Sequence, residues 1–499
     1  MDFQPSQKKQ ESYLLAVPLE VLLDISSYLS TTEYGNLRRV CQDIEASLFK
    51  TFAEEYFSKK PFMFTETSLR DLVNISNSRF APSLRYLIMT LHHPPPPPSS
   101  NHTKNAIDAL EHNRKSEEYN SHRTFIGLGQ HVELLTEALC NLPNLEMVGL
   151  QDFRPPHSYR DASGNGSFSL WDNYDTPRFN GEKRFFLDEP IFDKGGNFDI
   201  GGPVLYTCDA FLTILRALGK TRETHNSARL EVRLQRCNLP AIALNVPRHL
   251  EPSILPFLQN LKVLSLDLGP QSLQSTYHNN NGRPYVYFGS LISKFLSRTP
   301  SLEHLSLTFR NCEYLESKGI LEWLAEVPFT LQHWLLTRRN AGLMGDIQLL
   351  PQLPPPPPEY LCLEQLDIAM VSIKPPLLLN LFARYKSSLR RILLHDVIFR
   401  CPTPYDSTVK VNLWARFMSQ LAELGLNLST IRLSHVWQEY KGCLCTVWFK
   451  NAPNAPFGFT RAWTGNDLRR GSMDFITSMA ISWPEHHETD TGDESSDND

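Results

Sequence analysis

The sequence predicts a mixed α/β chain: three short N-terminal helices, then an irregular solenoid in which amphipathic helices alternate with parallel strands. Three observations predict it. Residues 17–41 read VPLEVLLDISSYLSTTEYGNLRRVC, a Pro-started apolar helix, a Ser/Thr turn and a second short helix. Beyond Pro61, Leu-x-x-Leu-x-Leu or a close variant recurs, and amphipathic stretches precede several copies. With 499 residues and 41% hydrophobic content, the chain has the length and apolar surface for a substantial core.

The N-terminal elements come first. Pro18 suits the first helical position, because its fixed φ fits a helix and its missing N–H removes no intrahelical bond. Leu22, Ile25 and Leu29 then recur at helical spacing, while Leu19, Val21 and Leu23 widen the apolar face beyond what one small core needs. That excess predicts a covering partner. Ser30 and Glu33 have the Ser-x-x-Glu spacing of a capping box, so Thr31 and Thr32 open a second helix. Leu37, Val40, Cys41 and Ile44 fall at i, i+3, i+4 and i+7, and Leu48, Phe52 and Tyr56 carry a third stretch. Three short helices in roughly forty residues are near the size at which a lone core is marginal.

This segment resembles the F-box family, whose pattern runs Leu-Pro-x-Glu, two or three aliphatics, a Leu and then Val-Cys-x-x-Trp. The matching residues are Pro18, Glu20, Val21, Leu22, Leu23, Ile25, Leu29, Leu37, Val40 and Cys41. Val17 replaces the usual Leu, and Ile44 stands where Trp is common; both remain apolar. The alternative reading is a three-helix cap on a repeat domain.

Further along, the clearest repeat copies are Leu261-Leu264-Leu266, Leu302-Leu305-Leu307, Leu331-Trp334-Leu336, Leu363-Leu366-Ile368, Leu389-Ile392-Leu394 and Leu428-Ile431-Leu433. Their starts lie 41, 29, 32, 26 and 39 residues apart. Earlier candidates are Leu84-Leu87-Met89, Leu145-Val148-Leu150 and the alternating Leu230, Val232 and Leu234. Helices are predicted over 289–298, 315–326, 377–385 and 413–424, each a short link before a strand. Such alternation resembles the leucine-rich repeat family, in which strands stack as a parallel sheet and helices cover one side. The Asn of the short repeat consensus does not recur; Asn311 is an isolated near match, so an irregular α/β solenoid fits better.

The resulting organisation is a flexible N-terminus (1–13), the F-box-like segment (14–60), the solenoid (61–484) and an acidic disordered tail (485–499). Insertions interrupt the solenoid near 92–123, 154–205 and 351–359. The first and third each contain five consecutive prolines, expected as stiff extended spacers. Residues 101–123 are polar and charged and read as a mobile loop continuing from the first proline run. The middle insertion, with Trp171, Tyr174, Phe185, Phe186 and Phe198, is a candidate for partner-specific contact.

Charge and motifs narrow the function. Formal net charge is −5, and residues 485–499 alone hold seven acids and no Lys or Arg, so the body is nearly neutral and offers no global basic field for nucleic acid. No apolar run is long enough to span a bilayer, and no leader-like start is visible, so a soluble protein of the cytoplasm or nucleus is expected. Nine scattered cysteines form no CxxC pair; Cys443 and Cys445 make a CxC on an expected strand. No HExxH, phosphate-binding Gly loop or GxSxG turn occurs, so no metal, cofactor or catalytic residue is assigned. A nucleophile and base meeting only in space would instead make a hydrolase.

The family resemblance implies a substrate-recognition subunit of a cullin-RING ubiquitin ligase. Its F-box helices would bind a small Skp-type adaptor, and through it a cullin, by way of Pro18, Leu22, Ile25, Leu29, Leu37, Val40 and Cys41. The solenoid would hold an unknown protein target. Side chains beside the last two apolar positions of each repeat strand point to the sheet face opposite the helices. They include His304, Ser306, Thr308, Asp367, His395, Arg432 and Ser434. A non-catalytic repeat scaffold without a ubiquitin role is the alternative.

Overall fold

The computed structural model describes residues 13–94, 106–152, 202–221, 229–234, 239–269, 289–310, 314–326, 355–400, 410–450 and 458–484. Among them the chain is mixed α/β, with thirteen α-helices and thirteen strands, and its contacts divide it into two units, Met1–Val263 and Leu264–Asp499. Most of the 154–205 insertion, the Leu331-Trp334-Leu336 copy, Asn311 and the acidic tail lie outside the described residues.

The first unit opens with α1 (Leu19–Ser27), α2 (Thr31–Arg38) and α3 (Gln42–Phe57). Pro18 is the cap rather than the first helical residue: its carbonyl accepts from the Leu22 amide at 3.0 Å. Ser30 and Glu33 close the expected capping box, the Glu33 amide donating to Ser30 Oγ at 3.3 Å and the Ser30 amide to Glu33 Oε2 at 2.9 Å. Leu22, Tyr34, Ile44, Leu48 and Tyr56 form the buried core of this segment.

No break follows the third helix. The chain passes through Ser58 into β1 (Lys59–Met63), which pairs in parallel with β2 (Tyr86–Thr90), then β3 (Met147–Gln151) and β4 (Arg229–Arg233). Glu45 of α3 bonds Arg38 of α2 at 2.7 Å and also holds Arg79, whose guanidinium lies 4.3 Å from the Phe49 ring centre. Phe57 and Phe80 stack at 4.2 Å, so α3 packs against the chain just before β2. Helices α4 (Glu66–Ser76), α6 (Gln130–Cys140), α7 (Gly202–Lys220) and α8 (Glu251–Asn260) pack side by side in that order.

Residues 106–127, in the stretch expected as a mobile loop, instead form α5 (Ala106–Gly127). No proline or glycine interrupts them before the end, Arg114 and Glu118 pair one turn apart at 3.1 Å, and Phe125 is buried. Polarity alone therefore misled, because a mostly polar helix can be pinned by a few inward side chains.

Where α7 meets α8, Gly219 lets two backbones touch: a Cβ there would lie 2.7 Å from the Ser253 carbonyl oxygen. Gly219→Ala should therefore destabilise the first unit by about 1–3 kcal/mol in urea denaturation despite alanine's better helix propensity. An unchanged midpoint would mean that the helices slide apart at little cost.

The second unit continues the pattern with β5 (Val263–Leu268), β6 (His304–Phe309), β7 (Gln365–Ile373) and β8 (Arg391–Phe399), neighbours in that order. Pairing is parallel from β6 to β8. Helices α9 (Gly289–Leu296), α10 (Tyr314–Leu324), α11 (Pro375–Arg384) and α12 (Leu413–Glu423) fall close to their predicted spans. In the copies at 302, 363, 389 and 428 the opening Leu is buried just before its strand, and the next two apolar residues are buried within it. The described part of the second proline run is strapped down: Trp323 donates its indole N–H to the Pro355 carbonyl at 2.7 Å, and Arg384 donates to that of Pro357 at 3.2 Å.

The expected parallel solenoid does not run to residue 484. Strand β8 pairs along its first half with β9 (Thr430–Ser434) and at its end with β10 (Trp437–Tyr440), both parallel; the next two strands run the opposite way. β11 (Cys443–Phe449) returns beside β10 through the two-residue turn Lys441-Gly442, at φ 48° and 77°, the left-handed pair that a tight hairpin requires. Two residues cannot make a parallel crossover, which needs a dozen or more. β12 (Thr460–Thr464) pairs antiparallel with β9, and after α13 (Leu468–Ser478), β13 (Met479–Ile481) pairs antiparallel with β11.

Candidate docking surfaces

Helix α1 with the two residues that follow it carries two apolar stripes one residue apart. Leu22 and Leu29, with Ser26 between them, face the three-helix core; Val21, Ile25 and Tyr28, at i, i+4 and i+7, face outward. The contrast is large: Leu22 is 4% exposed, Ile25 44%, and Val40, just beyond α2, 64%. Leu19 and Pro18 are exposed on the same helix. Of the residues expected to touch an adaptor, Pro18, Ile25 and Val40 are at the surface, Leu29, Leu37 and Cys41 are half-buried against the core, and Leu22 lies inside it. Leu22 is therefore corrected from contact to support. Val21 and Tyr28 were missing from that set, although the offset spacing was legible; the polar Ser26 within the buried stripe hid it.

In the second unit the residues expected on the sheet face opposite the helices do share it. Register places Ser306, Asp367, Leu393 and Arg432 in one row across β6 to β9, and Thr308, Ala369, His395 and Ser434 in the next. His304 and Gln365 occupy the row before. His304 Nε2 lies 2.7 Å from Asp367 Oδ2, and Gln365 donates to the same carboxylate at 3.0 Å. His395 and Arg432 are exposed. Ser434 is not: it is buried, with its hydroxyl 2.8 Å from Thr460 Oγ1, so it is corrected from contact to support. Burial, with the neighbouring His435, holds the His395 imidazole below its usual pKa, against the pull of Asp396. Sequence reasoning missed His435, because no glycine marks the positive-φ step that turns it out, and Phe459, which lies beyond the repeat strands and stacks on His435.

Among the described residues no cluster of three or more His, Cys, Asp or Glu could hold a metal ion, and no helix is long and apolar enough to cross a membrane. No protein-family model matches the chain, and no curated protein matches it.

Proposed function

We propose that the chain is the substrate-recognition subunit of a cullin-RING ubiquitin ligase. The N-terminal helices bind a Skp-type adaptor that bridges to the cullin, and an irregular leucine-rich-repeat-like domain holds the target protein. The mechanism is proximity: the chain raises the effective concentration of target lysines near a ubiquitin-conjugating enzyme without supplying a reactive group. The observation that carries this reading is the outward stripe Val21, Ile25 and Tyr28 with Val40, apolar side chains left bare by a core that is already complete. A typical specific interface buries on the order of 1,600 Å² and is dominated by a few apolar anchors.

Capture of recombinant Skp-type adaptor by the full chain tests it. The double substitution Ile25→Asp with Val40→Asp should weaken capture by roughly a hundredfold or more while the melting temperature and circular dichroism stay unchanged. Persistent capture by the folded double variant moves the docking surface elsewhere. If the unaltered chain captures no adaptor, the scaffold reading replaces the ligase.

A further inference from the structure

Three neighbouring strand segments in the second unit break their pleat at the same height. Met370, Asp396 and His435 take φ of 55°, 52° and 51°, directly after Ala369, His395 and Ser434, which pair with one another across β7, β8 and β9. A left-handed conformation is unfavourable for a non-glycine residue, and such strain persists where surrounding structure enforces it, often at ligand-binding positions. Its effect on β7 and β8 is to turn two consecutive residues outward, as the burial pattern shows at Ala369-Met370 and His395-Asp396; on the third segment Ser434 stays buried and His435 is exposed. The row continues onto Phe459, whose carbonyl accepts from the His435 amide at 2.9 Å.

The outcome is a shelf of flat rings. His395 meets His435 edge-on at 5.4 Å, His435 stacks on Phe459 at 5.4 Å with the planes 15° apart, and Trp448 lies behind Phe459 at 4.2 Å. His395, His435 and Phe459 are exposed. The carboxylates nearby are engaged: Asp367 by His304 and Gln365, and Asp396 by the Trp437 indole N–H at 3.1 Å. Arg432, exposed and two residues before Ser434 on β9, has no ion-pair or hydrogen-bond partner among the described residues. The unmatched charge on this surface is thus positive.

We propose that the shelf and Arg432 bind an extended target segment in which an aromatic side chain stands next to an anionic group. The ring stacks on His435 and Phe459, and the carboxylate or phosphate takes the Arg432 guanidinium. This rests on the second unit being the target-binding one.

Selection of a phage-displayed random peptide library on the immobilised full chain tests the assignment. Enriched sequences should share an aromatic residue beside Asp or Glu. A synthetic peptide of that sequence should lose affinity roughly tenfold with Arg432→Glu and several-fold with Phe459→Ser. Tighter binding on exchange of its acid for phosphoserine names phosphate as the natural group, and weaker binding names carboxylate; either result upholds the recognition chemistry. Enrichment without an acid, no enrichment, or binding indifferent to both substitutions overturns it. Arg432 is exposed, so its variant should melt with the parent, and if Arg432→Glu melts lower, Arg432→Ala replaces it; Phe459 also packs on His435 and Trp448, so Phe459→Ser is measured well below its own melting temperature, and Phe459→Leu replaces it if it does not fold. Adaptor capture by the same preparations keeps the two readings apart: capture without peptide selection removes this proposal alone, and peptide selection without capture removes only the ligase.

Discussion

Leu22→Asp unfolds the N-terminal helices, whereas Ile25→Asp leaves them folded. The two residues sit three positions apart on one helix and have the same composition, so only their surroundings separate them. Leu22 packs with Tyr34, Ile44, Leu48 and Tyr56; an aspartate there loses the transfer energy of a buried leucine, leaves a cavity and buries an unpaired carboxylate, together about 4 kcal/mol or more. Ile25 already faces water over nearly half its surface, and its replacement should change stability by about 0.5 kcal/mol at most. Amide hydrogen exchange over residues 19–57 reads the difference directly. Loss of protection in both variants would mean that Ile25 belongs to the core and that α1 has no free stripe. Because Glu45 ties α3 to both Arg38 and Arg79, the Leu22 defect should also loosen the segment around Arg79, which an independent N-terminal domain would not transmit.

Much of this architecture was legible because local chemistry and long-range packing agree. The Ser30-Glu33 box, the Leu-x-x-Leu-x-Leu strands and the helices before them each satisfy their own backbone or apolar requirement within a short window. The failures lie where one level overrides another. Helix α5 has little apolar periodicity, and its order comes from partners in α6 and α7 that no local window contains. The antiparallel finish had a signal, the Lys441-Gly442 turn between two short aromatic-containing strands, but Lys in a left-handed position is not what hairpin patterns lead one to seek. The docking set divided on a single helical step: periodicity identifies which residues are apolar, and only tertiary contacts decide which stripe the core takes. The outward row on β6 to β9 followed from alternation until the positive-φ residues shifted the parity, and there His435 and Phe459 escaped notice.

Acid should release α5 well before it unfolds the rest of the first unit. His122 of α5 and Tyr206 of α7 contact His93, at the end of β2, with rings 4.6–6.4 Å apart, and His131 of α6 reaches Thr213 of α7 at 3.0 Å. Burial holds all three imidazoles below their usual pKa. His122 is brought down to about 4 with help from His93 and His131, His131 to about 4 with help from Arg216, and His93 is lowered against a backbone contact to Pro94. The other charged groups near these rings give little relief: Asp209 acts on Tyr206 from α7, and Glu118 on α5 pairs with Arg114. A folded-state pKa below the unfolded value near 6.5 means that the unfolded segment binds more protons between those values. The stability is therefore complete above about pH 6.5 and is lost as pH falls toward about 4. For His122 and His131 a full shift of that size would correspond to about 3 kcal/mol per group, and solvent screening at the partly exposed rings reduces it to about 1–2 kcal/mol each; His93 acts in the same direction. Hydrogen exchange over residues 106–127, corrected for intrinsic rate, should rise by at least about tenfold between pH 7 and 5 relative to β1–β4. His122→Phe keeps a ring in place and removes the proton site, so it should blunt that rise; an identical pH slope in the variant would transfer the acid sensitivity to His93 and His131.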